Sequence, residues 1–307
     1  MSEQYPQARL KLSNLVKINF KLRASGLLIR SGKTKEVLGA ADIQPMSIQR
    51  VYRLNNAEHP LTVPYIPASS LKGRARSLLE AALGLPLHTT DGKIYLHMRI
   101  VQKNIMDEDP FCPVDNIFGT PSIAFRELDE RYRYLFECWA PSRAIFRDLF
   151  PSEGYVKSLC DAKGGCAYVS LEDFLEEKNE NRIDRVTSTA DPREILRLRP
   201  GVEFDGSITV LVYDIDLKPK EDCVKYTKVD EIKRGTPPVK YYLDMLIKSL
   251  RLVEETYLGA SGTRGYGQVE FTNLEAKLLD ALTFSELRRA EAPSLAKLGE
   301  EVSQWWQ

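Results

Sequence analysis

The sequence lacks a long hydrophobic run: no stretch approaches the roughly 18 uninterrupted apolar residues that a membrane helix needs. Its first residues have no apolar segment after a basic patch, so we expect no secretory signal, no membrane partner and a cytoplasmic location. Cysteine is scarce, with five residues, and the number is odd. In a cytoplasmic chain we therefore expect reduced thiols or metal ligands before disulfides.

Net charge is also absent, because 43 Lys and Arg residues balance 43 Asp and Glu residues. The balance is uneven along the chain: residues 1–100 hold 15 basic and 6 acidic side chains, and the remainder holds 28 basic and 37 acidic ones. This asymmetry favours a surface that faces a polyanion, joined to an acidic body. Chance variation among charged surface residues is the alternative.

The composition is that of a globular protein. Hydrophobic residues make up 43% and charged residues 28% of 307 positions, which is typical of a chain that buries a core as one large domain or two small ones. These values exclude wholesale disorder, a collagen-like rod and a small disulfide-stapled scaffold. We find no internal repeat.

Two regular segments lie in the first hundred residues. Polarity alternates from Lys17 to Arg23, which predicts a half-buried strand with a basic outer face. Residues 71–84 have apolar side chains at helical spacing and predict a helix that begins at Ser69 or Ser70 and ends at Gly84. Its apolar face comprises Leu71, Ala75, Leu78, Leu79 and Ala82.

The first turns of this helix carry the cations Lys72, Arg74 and Arg76. Positive charge at a helix N-terminus opposes the helix dipole, so we expect an anion to bind there. A solvated basic helix face is the alternative.

The order of later segments predicts the fold class. A strand at residues 206–216, a helix at 239–257 and a strand at 269–274 follow an irregular stretch. The resulting order of strand, helix, insertions, strands, helix and strand predicts an α+β fold with a ferredoxin-like, RRM-like core. We expect one domain over residues 1–307, with a core at about 14–84 and 200–279, insertions at about 85–199 and a helical C-terminal segment at about 283–307.

A glycine-rich loop, residues 259–267, separates the second long helix from the strand after it. Its four glycines allow backbone N–H groups to form an anion-binding concavity, and Arg264 adds a positive charge. The spacing does not match a Walker loop. An ordinary turn is the alternative.

Four stretches together resemble the RAMP superfamily of CRISPR proteins. Residues 65–76, Tyr-Ile-Pro-Ala-Ser-Ser-Leu-Lys-Gly-Arg-Ala-Arg, and the glycine-rich loop look like its paired signature. Residues 182–193 are similar to the thumb of the backbone subunit in type III (Csm) effector complexes, the Cas-seven group. Residues 38–42, Leu-Gly-Ala-Ala-Asp, resemble that subunit's Gly-x-x-Asp loop.

The resemblance implies an RRM-like palm with long insertions that form a lid and a thumb hairpin. Copies of the subunit stack along CRISPR RNA, beside other type III subunits, and each thumb crosses the guide–target duplex so that target RNA is cut at regular intervals. The implied RNA-binding residues are Ser69, Ser70, Lys72, Arg74, Arg76, Arg182, Arg185, Arg193, Gly262, Arg264 and Gly265.

The implied catalytic residue is Asp42, which acts with Mg²⁺ or another divalent cation. A carboxylate can deprotonate the RNA 2′-hydroxyl or hold a cation that neutralises phosphate charge. One departure stands out: Leu28 occupies a position where the family often has His. Arg30 or Lys33 would have to compensate if that His takes part in cleavage.

Three other functions are open. A RAMP subunit that binds RNA without cutting it is the nearest alternative, and Leu28 favours it. A guide-processing RAMP ribonuclease uses His chemistry, but His59, His88 and His97 lie outside the matched motifs. A generic RRM regulator would need an aromatic-rich strand, and we find none.

Zinc is a candidate structural metal. Cys160 and Cys166, with Cys112 and either His97 or His88, supply four ligands of the right type within the insertions. The spacing is not that of a paired C-x₂-C site, and buried free cysteines are the alternative.

Overall fold

The computed structural model describes residues 10–29, 45–101, 104–120, 132, 138 and 140–306. The strands are β1 Leu12–Ser25, β2 Ser47–Leu54, β3 Ala57–Pro64, β4 Ile100–Val101, β5 Asn104–Ile105, β6 Ala144–Phe146, β7 Phe150–Pro151, β8 Leu175–Ile183, β9 Ala190–Leu198, β10 Val202–Tyr213, β11 Gln268–Asp280 and β12 Glu286–Ala292. The helices are α1 Ala68–Ala82, α2 Pro113–Phe118, α3 Glu153–Lys163, α4 Asp214–Leu217, α5 Glu221–Val224, α6 Asp230–Lys233, α7 Pro238–Glu255 and α8 Leu295–Ser303.

The main sheet is antiparallel and has the order β12-β11-β1-β10-β6, with β7 also paired to β10. Strand β1 lies in the middle, and its side chains alternate between buried and accessible, as the sequence predicts. Val16, Ile18 and Leu22 are fully buried, whereas Lys17 and Arg23 are exposed. An α+β protein with an antiparallel sheet is therefore confirmed.

The core lies between one face of this sheet and the two long helices, α1 and α7. Leu71 and Ala75 of α1 and Leu246 and Leu250 of α7 belong to the same buried cluster as the apolar residues of β1. The helical spacing of these positions is what directs them to one face, so both helices are where the sequence places them.

The start of α1 differs from the prediction. Pro67 is the N-cap residue and no side chain of the helix caps it, so Ser69 and Ser70 lie in the first turn. The backbone N–H of Ala68 donates instead to Asp148 Oδ1, at 2.7 Å. A protein carboxylate thus supplies part of the negative charge that the basic first turn led us to expect from a ligand.

The C-terminal segment also differs, because residues 286–292 form a strand. Glu286 to Ala292 have good intrinsic helix propensity, but they pair with β11 and extend the sheet at its edge. Ala290 and Ala292 are buried at alternate positions, which is the period of a strand. The helix begins only at Leu295, and Trp305 and Trp306 pack against the core after it.

Residues 85–199, assigned to insertions, contain both separate elements and parts of the main sheet. Strands β6 and β7 pair with β10 and therefore belong to the sheet. Strands β8 and β9 form a hairpin of their own, and residues 181–194 are exposed throughout.

The expectation of reduced cysteines is wrong for four of the five. Cys138 is bonded to Cys223, and Cys160 to Cys166, which leaves Cys112 as a buried free thiol. Helix α3 ends at Gly164, in the left-handed conformation, and the chain turns back there. This turn brings the Cα atoms of Cys160 and Cys166 within 4.4 Å.

Within the described ranges, no helix is long and apolar enough to cross a membrane.

Candidate nucleic-acid interface

The glycine-rich loop contacts helix α1 through Arg74. The Arg74 guanidinium lies over the ring of Tyr257, with Cζ 3.9 Å from the ring centroid, and Nε donates to the Tyr257 carbonyl at 3.0 Å. A Cβ atom on Gly262 would fall inside the Tyr257 ring, so only glycine lets the loop close over this tyrosine. Two segments that are 180 residues apart in the sequence are therefore neighbours.

The same loop contacts the segment that follows β1. Ala260 N–H donates to the Leu28 carbonyl at 2.8 Å, and Gly267 N–H donates to the Gly26 carbonyl at 3.1 Å. A Cβ on Gly259 would come within 2.6 Å of the Leu28 carbonyl oxygen. Glycine is needed here because the two backbones approach each other closely. An ordinary surface turn would not require a glycine for this reason.

A third contact joins the loop to the β8–β9 hairpin. Lys178 Nζ donates to the Arg264 carbonyl at 3.4 Å, and the Tyr266 hydroxyl donates to Glu180 Oε1 at 2.6 Å. The Arg264 side chain is exposed and forms no ion pair among the described residues. The loop thus holds one accessible cation beside three segments from distant parts of the chain.

The cations of α1 do not converge, contrary to our expectation. Side chains two residues apart on a helix point in different directions, so Arg74 reaches the glycine-rich loop while Lys72 and Arg76 lie on the other flank. Arg76 is engaged by the protein: it pairs with Glu80 and donates to the carbonyls of Gly119 and His97.

Lys72 differs from both arginines because it has no acidic partner in the described part of the chain. Its side chain is half-buried, and burial together with the charge of Arg76 lowers the pKa of its ammonium group. A partly desolvated cation without a counter-charge is suited to an external anion. Ser69, one turn away, is exposed, and Ser70 is half-buried.

The three arginines predicted for the thumb all lie on the β8–β9 hairpin or its turn. Arg182 lies opposite Asp191 across the strands and Arg193 lies opposite Glu180, and both arginines pair with Asp191, at 3.0 Å and 3.7 Å. Arg185, in the turn, is exposed. These side chains are accessible, but two of them already have an acidic partner.

Asp42, Arg30 and Lys33 lie outside the described residues. The chain leaves the described part after Ile29 and returns before Met46, and Met46 N–H donates to the Ile29 carbonyl at 2.9 Å. Leu28, next to Ile29, is fully buried and packs with Tyr266 and Ile195 in a small apolar cluster. In this chain the position where the family often has His is therefore closed to solvent.

A second cluster lies on the far side of α1, where His97, Asp107, Cys112 and Asp115 are all buried. One ligand atom from each residue lies within 4.8 Å of the others. His97 Nδ1 is 3.1 Å from the Pro86 carbonyl, which orients Nε2 toward Asp107 Oδ2 at 3.3 Å and Cys112 Sγ at 3.5 Å.

The charge state of this cluster follows from its burial. Desolvation by burial acts to raise the pKa of the Asp107 carboxyl. The hydrogen bond from His97, with the backbone N–H of Asp109 and the charge of Arg99, outweighs it and lowers this pKa to about 2. Desolvation raises the pKa of the Asp115 carboxyl, and it raises the pKa of the Cys112 thiol well above its usual range. Among the residues that the structure describes, Asp115 Oδ1 is buried and has no hydrogen-bond partner.

The predicted zinc ligand set is therefore wrong in its membership. Cys112 and His97 are together, but Cys160 and Cys166 are bonded to each other, and Asp107 and Asp115 stand in their places. The sequence did not identify these aspartates because their spacing matches no common zinc motif. His88 pairs with Leu96 and is not part of the cluster.

This chain is similar to known proteins in its sequence and in its structure. The family model of the RAMP superfamily matches residues 45–270. A protein of Streptococcus thermophilus named CRISPR system Cms endoribonuclease Csm3 is 32% identical over 237 residues, which cover 76% of this chain and 82% of that protein. A protein of the same name from Methanothermobacter thermautotrophicus is 28% identical over 253 residues, covering 82% and 81%.

A crystal structure of the Csm3–Csm4 subcomplex in the type III-A CRISPR-Cas interference complex is also similar, with a TM-score of 0.46 and 19% identity over 97% of this chain and 100% of that chain. The family match spans well over half of the residues, including α1, the β8–β9 hairpin and the glycine-rich loop. This chain belongs to the RAMP superfamily and is a homologue of the Csm3 proteins.

Proposed function

We propose that this chain binds guide RNA as a subunit of a type III CRISPR interference complex in the cytoplasm and cleaves target RNA within that complex. One observation carries the proposal: the glycine-rich loop contacts α1, the segment after β1 and the β8–β9 hairpin, and it presents the exposed cation Arg264. Its relatives are named as CRISPR endoribonucleases.

The strand order supports our assignment of the palm. Strands β11, β1, β10 and β6 stand in the order of the fourth, first, third and second strands of a ferredoxin-like core, with α1 and α7 as its two helices. We assign this core as the palm, the β8–β9 hairpin as the thumb, and other parts of residues 85–199 as the lid. The exposed hairpin is suited to cross a duplex.

RNA is gripped by its backbone in this proposal. Arg264 and Arg185 are exposed cations and Lys72 is a half-buried one, and none of them forms an ion pair with an acidic side chain among the described residues. Contacts from such cations to phosphate position an RNA without reading its sequence. Gly262 and Gly265 would let an RNA backbone approach the loop closely, although the Gly265 N–H already donates to the Gly262 carbonyl at 3.2 Å. Arg76 has a structural role instead, since three protein acceptors already engage it.

Cleavage is assigned to Asp42, which precedes Met46 by four residues in the sequence. Its carboxylate would accept the proton of the attacking 2′-hydroxyl or hold a divalent cation such as Mg²⁺. When bound, such a cation neutralises phosphate charge.

Cleavage of guide-matched RNA by assembled complexes tests this assignment. Three complexes are compared, containing the wild-type chain, Asp42→Ala or Asp161→Ala. Asp161 is an exposed carboxylate on α3 and serves as the matched control. We expect the first variant to bind RNA as wild type does and to lose cleavage, and the second to keep both. Cleavage by the Asp42 variant at the wild-type rate would favour the non-catalytic RAMP subunit.

Two other functions fit less well. Histidine chemistry for guide processing needs an accessible imidazole beside the RNA. His97 is 1% exposed and held in its buried cluster, and the partly accessible His59 and His88 lie outside the matched motifs. Base stacking in the manner of an RRM needs aromatic side chains on the open sheet face. On β1 and β10 that face carries charged and polar residues, such as Lys17, Lys21, Asp205 and Thr209.

Copies of the chain would assemble head to tail along the guide, beside other type III subunits. A contact between two different surfaces does not close on itself and yields a filament. The basic first hundred residues and the acidic remainder are complementary in charge, which supports this arrangement.

We further propose a structural zinc at His97, Asp107, Cys112 and Asp115. The donor types suit zinc, the orphaned Asp115 Oδ1 lacks a partner, and the Pro86 carbonyl holds the His97 ring as an outer hydrogen bond commonly does at metal sites. Arg99 Nε, 3.2 Å from Asp115 Oδ2, offsets part of the negative charge. A metal there would tie His97 to the segment that carries Asp107, Cys112 and Asp115.

A further inference from the structure

The β8–β9 hairpin is docked on the glycine-rich loop by a small cluster separate from the main core. Tyr266 is 1% exposed, and its ring packs with Leu28 and Ile195, with Ala260 at the edge. Ile195 belongs to β9, Leu28 to the segment after β1, and Tyr266 and Ala260 to the loop. The cluster therefore joins three separate parts of the chain.

Polar contacts surround this ring. The Tyr266 hydroxyl donates to Glu180 Oε1 at 2.6 Å, Lys178 Nζ lies 4.1 Å from the ring centroid, and Arg197 Cζ lies 5.1 Å from it. Lys178 also pairs with Glu180, and Arg197 with Glu176. A tyrosine fits here because its ring is buried in an apolar site while its hydroxyl reaches a charged acceptor.

The alternation of the hairpin strands explains how these residues meet. Every second position of β8 is half-buried at its root, namely Glu176, Lys178 and Glu180, and the residues between these positions are exposed. The strand starts at Leu175, which is buried. Across the pair, Ile195 and Arg197 stand opposite Lys178 and Glu176. One face of the hairpin root is therefore the docking face.

The backbone bonds that join the hairpin to neighbouring segments lie at its root, as far as the described residues show. Leu198 N–H donates to the Leu27 carbonyl at 2.9 Å, which anchors the end of β9. Beyond Glu180 the hairpin is exposed on every side, and an isolated two-stranded hairpin is marginally stable in water. In the described part of the chain, the contact made by Tyr266 is the one nearest to the free end of the hairpin.

From this geometry we propose that Tyr266 is a positioning residue, which locks the β8–β9 hairpin against the glycine-rich loop and so sets where the free end of the hairpin meets the guide–target duplex. The functional half rests on the proposed RNA cleavage. The structural half is that one hydroxyl controls the docking of the hairpin. It does not depend on RNA cleavage and can be tested on the full-length protein by itself.

Hydrogen exchange of the full-length chain tests the structural half. Tyr266→Phe keeps the ring in its cluster and removes only the bond to Glu180. We expect amide exchange in residues 175–198 to become about tenfold faster, the factor typical of one charged hydrogen bond, while exchange in β1 and β10 stays as in wild type. Tyr168→Phe, at a tyrosine that is 70% exposed, removes the same atom elsewhere and should change nothing.

Partner variants keep the test decisive if one variant folds poorly. Glu180→Ala removes both the bond from Tyr266 and the ion pair with Lys178, so it should accelerate exchange at least as much as Tyr266→Phe does. The double variant should be no faster than Glu180→Ala alone, because the bond from Tyr266 is already absent there. Glu180→Gln retains an oxygen acceptor but not the negative charge, so it should restore part of the protection that Glu180→Ala loses. Unchanged exchange in these variants, or fully additive effects, would overturn the docking role.

Cleavage in the assembled complex tests the functional half. We expect Tyr266→Phe to bind guide RNA within about twofold of wild type, yet to cut guide-matched RNA more slowly and at less regular positions. Glu180→Gln should recover the regular spacing. Regular wild-type cleavage by Tyr266→Phe, despite faster exchange, would overturn the positioning role, whereas a wild-type complex that cuts no RNA would overturn the proposed function and leave the exchange result standing.

Discussion

The guanidinium of Arg74 lies over the ring of Tyr257, 3.9 Å from its centroid, and donates a hydrogen bond to the carbonyl of the same residue. Helix α1 and the glycine-rich loop are thereby held together at one point. An arginine does this better than a lysine, because its planar group stacks and donates at once.

Replacing Arg74 should therefore destabilise the protein. We expect Arg74→Ala to lower the free energy of unfolding by about 2 kcal/mol and Arg74→Lys by about half of that, measured in guanidinium chloride. Arg53→Ala, which removes an arginine that is 81% exposed and paired with Glu58, should change it by less than about 0.5 kcal/mol. Equal losses for Arg74→Ala and Arg53→Ala would show that the stack contributes nothing.

The closure over Tyr257 also predicts opposite effects for two glycines. Gly262→Ala places a methyl group where the Tyr257 ring lies, so we expect a loss of about 1–3 kcal/mol in unfolding free energy. Gly73→Ala, in the middle of α1 with open space around it, should instead stabilise by about 0.5–1 kcal/mol. Thermal unfolding of both variants checks the signs, and a tolerated Gly262→Ala would argue against the closed loop.

Arg76 should prove structural. Its side chain is 17% exposed and pairs with Glu80, so Arg76→Ala leaves a buried carboxylate and should cost about 3 kcal/mol of unfolding free energy. The salt dependence of RNA binding should stay as in wild type. A lower salt slope with unchanged stability would assign Arg76 to RNA instead.

A pH series should reveal the bond between Tyr266 and Glu180. The hydrogen bond from Tyr266, with the charges of Lys178 and Arg264, lowers the folded-state pKa of the Glu180 carboxyl. Its stabilisation is present above the ordinary pKa of a glutamate and is lost as the pH falls through the lower folded value. The difference in unfolding free energy between wild type and Tyr266→Phe should therefore shrink below about pH 4.

Urea titrations between neutral pH and this range measure that difference. The same series on Tyr168→Phe supplies the control and should show no difference from wild type at any pH. A gap between wild type and Tyr266→Phe that stays constant with pH would mean that Glu180 is not the partner.

The main elements could be predicted from the sequence because their patterns are local. Strand β1 alternates, and α1 and α7 repeat their apolar residues at helical spacing. Strand β12 could not be predicted in this way, because its residues favour a helix and only pairing with β11 makes them a strand. A long-range contact overrode the local preference.

The site was predicted only in part for the same reason. The motifs at α1 and the glycine-rich loop identified segments that do meet, but the split of Lys72 and Arg74 between two flanks depends on how the helix is packed. The partnership of Tyr266 with Glu180 spans 86 positions and leaves no motif. Asp107 and Asp115 likewise become candidate ligands only once the chain has folded.

Elemental analysis of purified protein tests the zinc proposal. We expect about one equivalent of zinc in wild type, none in Cys112→Ser, and a lower melting temperature after chelation, because metal binding and folding are coupled here. Less than about a tenth of an equivalent in the wild-type protein would rule the site out.

The central claim is that the glycine-rich loop grips the RNA backbone through Arg264, and the salt dependence of guide-RNA binding tests it most directly. Arg264→Ala should weaken binding of every RNA sequence alike. It should also make the negative slope of log affinity against log salt shallower by about 0.7–1, the change expected for one lost phosphate contact. Arg234→Ala removes the same charge from an exposed site near α6 and should leave the slope unchanged. A slope for Arg264→Ala that equals that of wild type would contradict the account.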